Sequence, residues 1–197
     1  MSLDDVIERL TDDKDERNKW VGVYIGVLAV LLAICNMGGG NAAKDASRAH
    51  LEAANTWAFF QSKNIRRSQI ALNADVLELL LKAQPGLEGE ARSQIEEKIK
   101  DYRDQVQKLT TDEERKEGLD ELFARGKALE ADRDIALRKD PYFDWSQALL
   151  QIAIVLASVH LIVGNLSLLG MSGGLATLGL LFMLNGFTLA VRVPFLG

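Results

Sequence analysis

Few side chains in this sequence stand at spacings that support chemistry. Gly170-Met171-Ser172-Gly173-Gly174 matches the G-x-S-x-G pattern of hydrolase nucleophiles, and its Gly-x-Ser-Gly core is shared with intramembrane serine proteases. A serine nucleophile needs a base within hydrogen-bond reach. The only candidate, His160, precedes Ser172 by twelve residues, which leaves it roughly 18 Å away along a helix. No strand pattern leads into the serine, so the stretch reads as a glycine turn and no catalytic residue is expected. A metal site fails too, because His50 and His160 lie in different regions and neither has a Cys or carboxylate at ligand spacing. No cofactor is implied. Cys35, in Leu32-Ala33-Ile34-Cys35, resembles a lipidation site, but the bulky Ile34 occupies the place of a small residue; as the sole cysteine it excludes an intramolecular disulfide. Lys63, Arg66 and Arg67 form a small basic patch in a chain of net charge −5, so a nucleic-acid partner is not expected. Gln151, His160, Asn165 and Asn185 are polar side chains within the last two spans. Such groups turn toward protein or water rather than lipid, either as interhelical hydrogen bonds or as the lining of a conduction path.

The elements that would position these residues follow from the charge distribution. No Asp, Glu, Lys or Arg occurs in residues 20–43 or 145–191. Uncharged apolar runs longer than about 18 residues are membrane-span candidates, which excludes a soluble enzyme. The first run gives a transmembrane helix over 20–37, followed by Gly38, Gly39 and Gly40. A cleaved signal peptide is the rival, but residues 1–19 carry seven acids against four bases, the wrong sign for its leader. The second run is too long for one helix, and the glycines at 170–174 divide it into helices over 145–169 and 175–193. Asp144 with Gln147 resembles a capping box opening the first of these. Residues 1–19 form an acidic amphipathic segment, with Leu3, Val6, Ile7 and Leu10 on one face and Ser2 as cap, expected to order only on contact with a protein partner.

Residues 38–140 form a soluble helical insert, charged from Lys44 to Asp140, whose turn signal is Pro85-Gly86 and Gly89 near 85–89. Ile95, Ile99, Tyr102, Val106 and Leu109 repeat at spacings of four and three, the a/d seam of a coiled coil. The return arm breaks near Thr110, Thr111 with Glu114 resembles a fresh cap, and Leu119, Leu122, Leu129 and Ala136 resume the seam one residue out of phase. The outgoing arm starts alanine-rich and then carries Trp57, Phe59 and Phe60. Neighbouring helix positions are about 100° apart, so Phe59 and Phe60 cannot both face one partner; either a further helix from another subunit covers the second ring or that ring lies against lipid headgroups. Gly22 and Gly26, with Ala29 and Ala33, form a small-xxx-small face that packs either against another copy or against the chain's own last two spans. The fold class is therefore all-α: three transmembrane helices with a long antiparallel coiled-coil hairpin, about 60 Å tall, inserted between the first and second.

Three segments carry a family resemblance: Trp57-Ala58-Phe59-Phe60-Gln61-Ser62-Lys63-Asn64-Ile65-Arg66, Leu129-Glu130-Ala131-Asp132-Arg133-Asp134, and Leu149-Leu150-Gln151-Ile152-Ala153-Ile154-Val155-Leu156-Ala157-Ser158. Together they resemble the bacterial domain-of-unknown-function 4337 family, over nearly the whole chain. The resemblance implies a multi-pass protein of the bacterial inner membrane, and it carries over no catalytic residue. Basic residues near the spans number four on one side and six on the other, which does not orient the chain; the resemblance implies a periplasmic hairpin. The function expected is a non-catalytic structural or accessory membrane protein, not an enzyme, that self-associates and projects the hairpin for assembly or partner binding. Its partners are the lipid bilayer, further copies of itself, and another membrane protein complex. An oligomeric channel or transporter formed by the spans is the alternative.

Overall fold

The computed structural model describes the backbone of residues 3–112 and 114–193, and their side chains apart from those of 3–15 and 17. The described chain is all-α, with helices α1 (Leu3–Ala83), α2 (Glu90–Thr110), α3 (Leu119–Val163) and α4 (Leu166–Thr188). α1, α3 and α4 each contain a stretch long and apolar enough to cross a membrane. The residues group into two units, one of Met1–Ala46 with Asp134–Gly197 and one of Ser47–Arg133.

The first unit is a three-helix arrangement of α1, α3 and α4. Its core is built from Leu28, Cys35 and Ala42 of α1, Phe143, Leu150 and Ala153 of α3, and Ala176 and Met183 of α4. On α3 the buried positions Phe143, Ser146, Leu150, Ala153, Ala157 and His160 alternate by three and four, and on α4 Ser172, Ala176, Gly179, Met183 and Gly186 do the same. Small residues on these stripes let backbones close in, which is how apolar helices associate where lipid is as apolar as leucine. Phe143 shows the fit most clearly. A Cβ on Gly38 would stand 2.5 Å from its ring, one on Gly186 3.1 Å from it, and one on Gly39 3.1 Å from its own Cβ. Phe187 meets the same ring edge-on at 4.9 Å between centroids.

In the second unit α1 turns a heptad stripe inward: Ala49, Thr56, Lys63, Ile70 and Leu77, with Ala53, Phe60, Arg67, Ala74 and Leu81 four residues after each, are all buried or half-buried. On α2 the inward positions are Ile95, Ile99, Tyr102, Val106 and Leu109, all half-buried, and on α3 they are Leu119, Leu122, Gly126 and Leu129. Arg103 of α2 ties onto α1 through Asp75 at 2.6 Å and Glu78 at 2.7 Å. Between α1 and α2 the reversal uses Gly89 at φ 74°, a left-handed conformation that favours glycine.

Several expected boundaries move. The glycines at 38–40 do not end the first helix, because α1 runs on to Ala83 and Gly38 and Gly39 seat Phe143 instead. Residues 170–174 do not form the last turn; they lie inside α4, so helices over 145–169 and 175–193 are corrected to α3 ending at Val163 and α4 spanning Leu166–Thr188. The reversal is made by Gly164 at φ 74° and by Asn165, whose side chain accepts from Ser167 N at 3.0 Å and caps α4. Asp144 opens no helix, since α3 continues through Pro141 with Tyr142 and Phe143 both buried beyond it. Thr111 is the C-cap of α2 rather than the start of a helix, its hydroxyl bonded to Asp120 at 2.9 Å, and α3 begins at Leu119. Gly118 makes that last turn possible: a Cβ there would crowd Asp112 N at 2.6 Å and Thr110 O at 2.8 Å. At the amino end, α1 is continuous from Leu3, so no separate short helix precedes the span; the Ser2 cap and the apolar face of Leu3, Val6, Ile7 and Leu10 fall outside what the structure describes.

Candidate helix-packing interface

Ser172, Cys35, His160, Asn165 and Asn185 each make hydrogen bonds within the first unit. Ser172 is buried and donates to Ala153 O at 2.7 Å, while the Tyr24 hydroxyl lies 3.1 Å from its Oγ. With its proton on a backbone carbonyl of α3 and the Tyr24 hydroxyl of α1 beside it, this hydroxyl joins three helices and is not poised as a nucleophile. Ser146 repeats the device, donating to Gly179 O at 2.7 Å, and Cys35 Sγ, fully buried, reaches Phe143 O at 3.4 Å. Sequence reasoning passed over Ser146, whose one signal is a small polar residue on the buried stripe of a span.

His160 is buried and its Nδ1 lies 2.8 Å from Asn165 O. A carbonyl only accepts, so Nδ1 carries the hydrogen. Asn165 caps α4, and Asn185 brackets the far end: its Nδ2 donates to Val191 O at 2.7 Å and its Oδ1 accepts from Val191 N at 2.9 Å. Tyr142 adds to this end, donating to Val191 O at 3.3 Å and accepting from Val193 N at 3.1 Å. His160, Asn165 and Asn185 thus satisfy backbone groups left over at helix ends. Gln151 differs, being exposed midway along an apolar stretch of α3.

The residues expected to pack helices divide into used and unused. Trp57 is half-buried, edge-on to Phe60 and Phe123 at 5.6 Å each, with Nε1 donating to Glu130 at 3.0 Å. Gly126 makes room for it, since a Cβ there would approach the indole to 2.8 Å. Phe60 is half-buried beside it, whereas Phe59 is 45% exposed with Lys63 Nζ 5.6 Å from its ring. Ile95, Ile99, Tyr102 and Val106 share one half-buried face of α2, no residue of which is fully buried. Outside the spans, Lys127 donates to Glu130 and holds that carboxyl below the ordinary carboxylate range, with the Trp57 N–H adding to the effect; Lys98, aided by Gln105, does the same for Asp101.

Gly22, Gly26, Ala29 and Ala33 are all exposed, and a Cβ on either glycine would meet nothing within 4 Å. Packing of this face against the chain's own last two spans is therefore ruled out: α1 turns Val21, Leu28, Cys35 and Ala42 to that core instead. Asn36, Gly40 and Ala43 continue the outward face at the same alternation of three and four, and all three are exposed.

No curated protein and no solved structure matches the chain. One family does, its match covering residues 17–189, and on that cover the chain belongs to the family described as Domain of unknown function (DUF4337).

Proposed function

We propose that the chain is a non-catalytic structural or accessory membrane protein that works by self-association, with the first span and the charged hairpin as its assembly elements. The observation that supports this most is the outward face of α1, where Gly22, Gly26, Ala29, Ala33, Asn36, Gly40 and Ala43 stand exposed in helical register. Glycine within a helix costs about 1 kcal/mol relative to alanine, and at Gly22 and Gly26 no neighbour within the protomer offsets that cost. In a bilayer such a face is where a second helix approaches closely enough for dispersion and weak hydrogen bonds to hold it. Gln151 adds to the reading, because an amide facing hydrocarbon is costly and a neighbouring copy offers it a partner. The heptad stripes of α1, α2 and α3 in the second unit favour left-handed coiled-coil packing of the hairpin. The location that goes with this reading is the bacterial inner membrane, with a periplasmic hairpin. A channel has less to rest on, since His160, Asn165 and Asn185 are engaged in closing helix ends.

The test pairs assembly with transport. Gly22→Ile with Gly26→Ile is expected to lower the assembled fraction in mild detergent, measured by light scattering, and the native protein in liposomes is expected to pass no small ions. Unchanged assembly in the double variant would remove the span from the proposal, and ion flux through the native protein would favour the channel.

A further inference from the structure

In the second unit α1 carries two heptad stripes, and only one of them is used. Leu51, Ala58, Ile65, Leu72 and Leu79 recur every seven residues, and Asn55, Ser62, Gln69 and Val76 stand four after the first four of them; all nine are exposed. The large members are 52–63% exposed, Leu51 and Leu79 the most. Single exposed apolar residues are ordinary. Five large ones in strict heptad register are not, because that spacing makes a continuous seam along one face of a helix.

The surrounding charge separates this face from a solvated one. Residues 51–79 of α1 carry six charged side chains, Glu52, Lys63, Arg66, Arg67, Asp75 and Glu78, and none lies on the seam, whereas the 21 residues of α2 carry ten. Where this unit meets water it uses Glu, Asp, Lys and Arg; along the outer face of α1 it uses Ala, Ser, Asn and Gln instead. Depletion of charge around an apolar stripe is the composition of an interface core.

The polar layers choose the occupant. Against a wholly apolar helix the amides of Asn55 and Gln69 would be buried unpaired. In an antiparallel copy centred on Ile65 and Gln69, Asn55 would fall opposite Leu79 and Ser62 opposite Leu72, with the same outcome. In a parallel copy in register each polar residue meets its own equivalent, and a side-chain amide both donates and accepts, so Asn55 and Gln69 are satisfied by themselves. We infer that the exposed stripe of α1 from Leu51 to Leu79 is the surface through which two copies of this chain pair in parallel, with Asn55, Ser62 and Gln69 setting the register. The inference rests on the self-association proposed above and names the surface that carries it.

The experiment uses the full chain in mild detergent with Cys35→Ser, so that only introduced thiols react. Leu72→Cys and, separately, Ile65→Cys are expected to oxidise to covalent dimers of twice 21.7 kDa, while Lys100→Cys on the exposed side of α2 is expected to stay monomeric on denaturing gels. Ile65→Glu with Leu72→Glu, both at exposed positions that a folded protomer accommodates, is expected to weaken association by on the order of 100-fold, two buried unpaired charges facing two more. If the native chain is oligomeric but neither thiol links to its own copy and the double glutamate variant keeps its mass, this surface is wrong and self-association stands. A monomeric native chain overturns both. Cross-linking of Leu72→Cys to a different polypeptide overturns the choice of occupant.

Discussion

Replacing Gly38 with alanine sets two effects of similar size against each other, and the structure decides which wins. Alanine raises helix propensity by about 0.5–1 kcal/mol. At Gly38 the new methyl would stand 2.5 and 2.8 Å from two carbons of the Phe143 ring and 3.0 Å from Phe187. Phe143 is 1% exposed and boxed in by Gly39 and Gly186 as well, so its ring has nowhere to retreat. Overpacking of this kind costs about 1–3 kcal/mol, which leaves Gly38→Ala destabilising by about 1–2 kcal/mol. Gly174 sits in α4 with nothing within 4 Å of its Cβ position, so Gly174→Ala keeps the helical gain and is stabilising by about 0.5–1 kcal/mol. The assay is reversible unfolding in mixed micelles, followed by tryptophan fluorescence and far-ultraviolet circular dichroism, for both variants and for Gly38→Ala combined with Phe143→Leu. The smaller, flexible leucine should recover part of the loss, giving a favourable coupling in the double-mutant cycle. Two alanine variants that shift stability in the same direction, or a cycle without coupling, would show that close approach of Phe143 is not what holds Gly38 as glycine.

Trp57→Ala is expected to destabilise the second unit by about 2–3 kcal/mol, near the low end for a large aromatic because the ring is only half-buried; chemical denaturation checks it, and Glu130→Gln should cost less, since it removes the charge and keeps the acceptor for Trp57. Asn185→Ala removes both bonds to Val191 and is expected to speed amide exchange at Val191 at least tenfold while global stability falls by about 1–2 kcal/mol. Glu130 and Asp101 hold their protons less readily folded than unfolded, so their contribution is complete above the unfolded carboxylate values near pH 4 and is lost as pH falls through the lower folded values. Acid titration of helicity in the chain and in Lys127→Met should show the native curve steeper below pH 4.5, and identical curves would dismiss the Lys127 contact.

Much of the architecture was legible because charge is so unevenly placed. Two charge-free runs mark the apolar segments, and the spacing of Ile95, Ile99, Tyr102 and Val106 marks the inward face of α2. Glycine caused the misreadings. Gly38-Gly39-Gly40 and residues 170–174 look like chain reversals, yet a glycine that breaks a helix and one that lets a phenylalanine lie against it are the same residue until the neighbour is known. Gly164-Asn165 was the true reversal and carried a legible signal, a glycine followed by a good N-cap residue, that a denser glycine cluster outweighed. The inner and outer stripes of α1 were hidden for another reason. Two heptads interleaved on one helix, Ile70 and Leu77 on one and Leu72 and Leu79 on the other, make the arm look apolar all round, and only burial separates them. Ser146 and Ser172 were illegible as helix joints because their partners are backbone carbonyls.

The central claim is self-association, and the most direct test is the mass of the native full chain in mild detergent at micromolar concentration, measured by light scattering with the detergent contribution subtracted. A self-associating chain gives an integral multiple of 21.7 kDa that falls on dilution and falls further in the Ile65→Glu, Leu72→Glu variant. A concentration-independent mass of a single chain would contradict it.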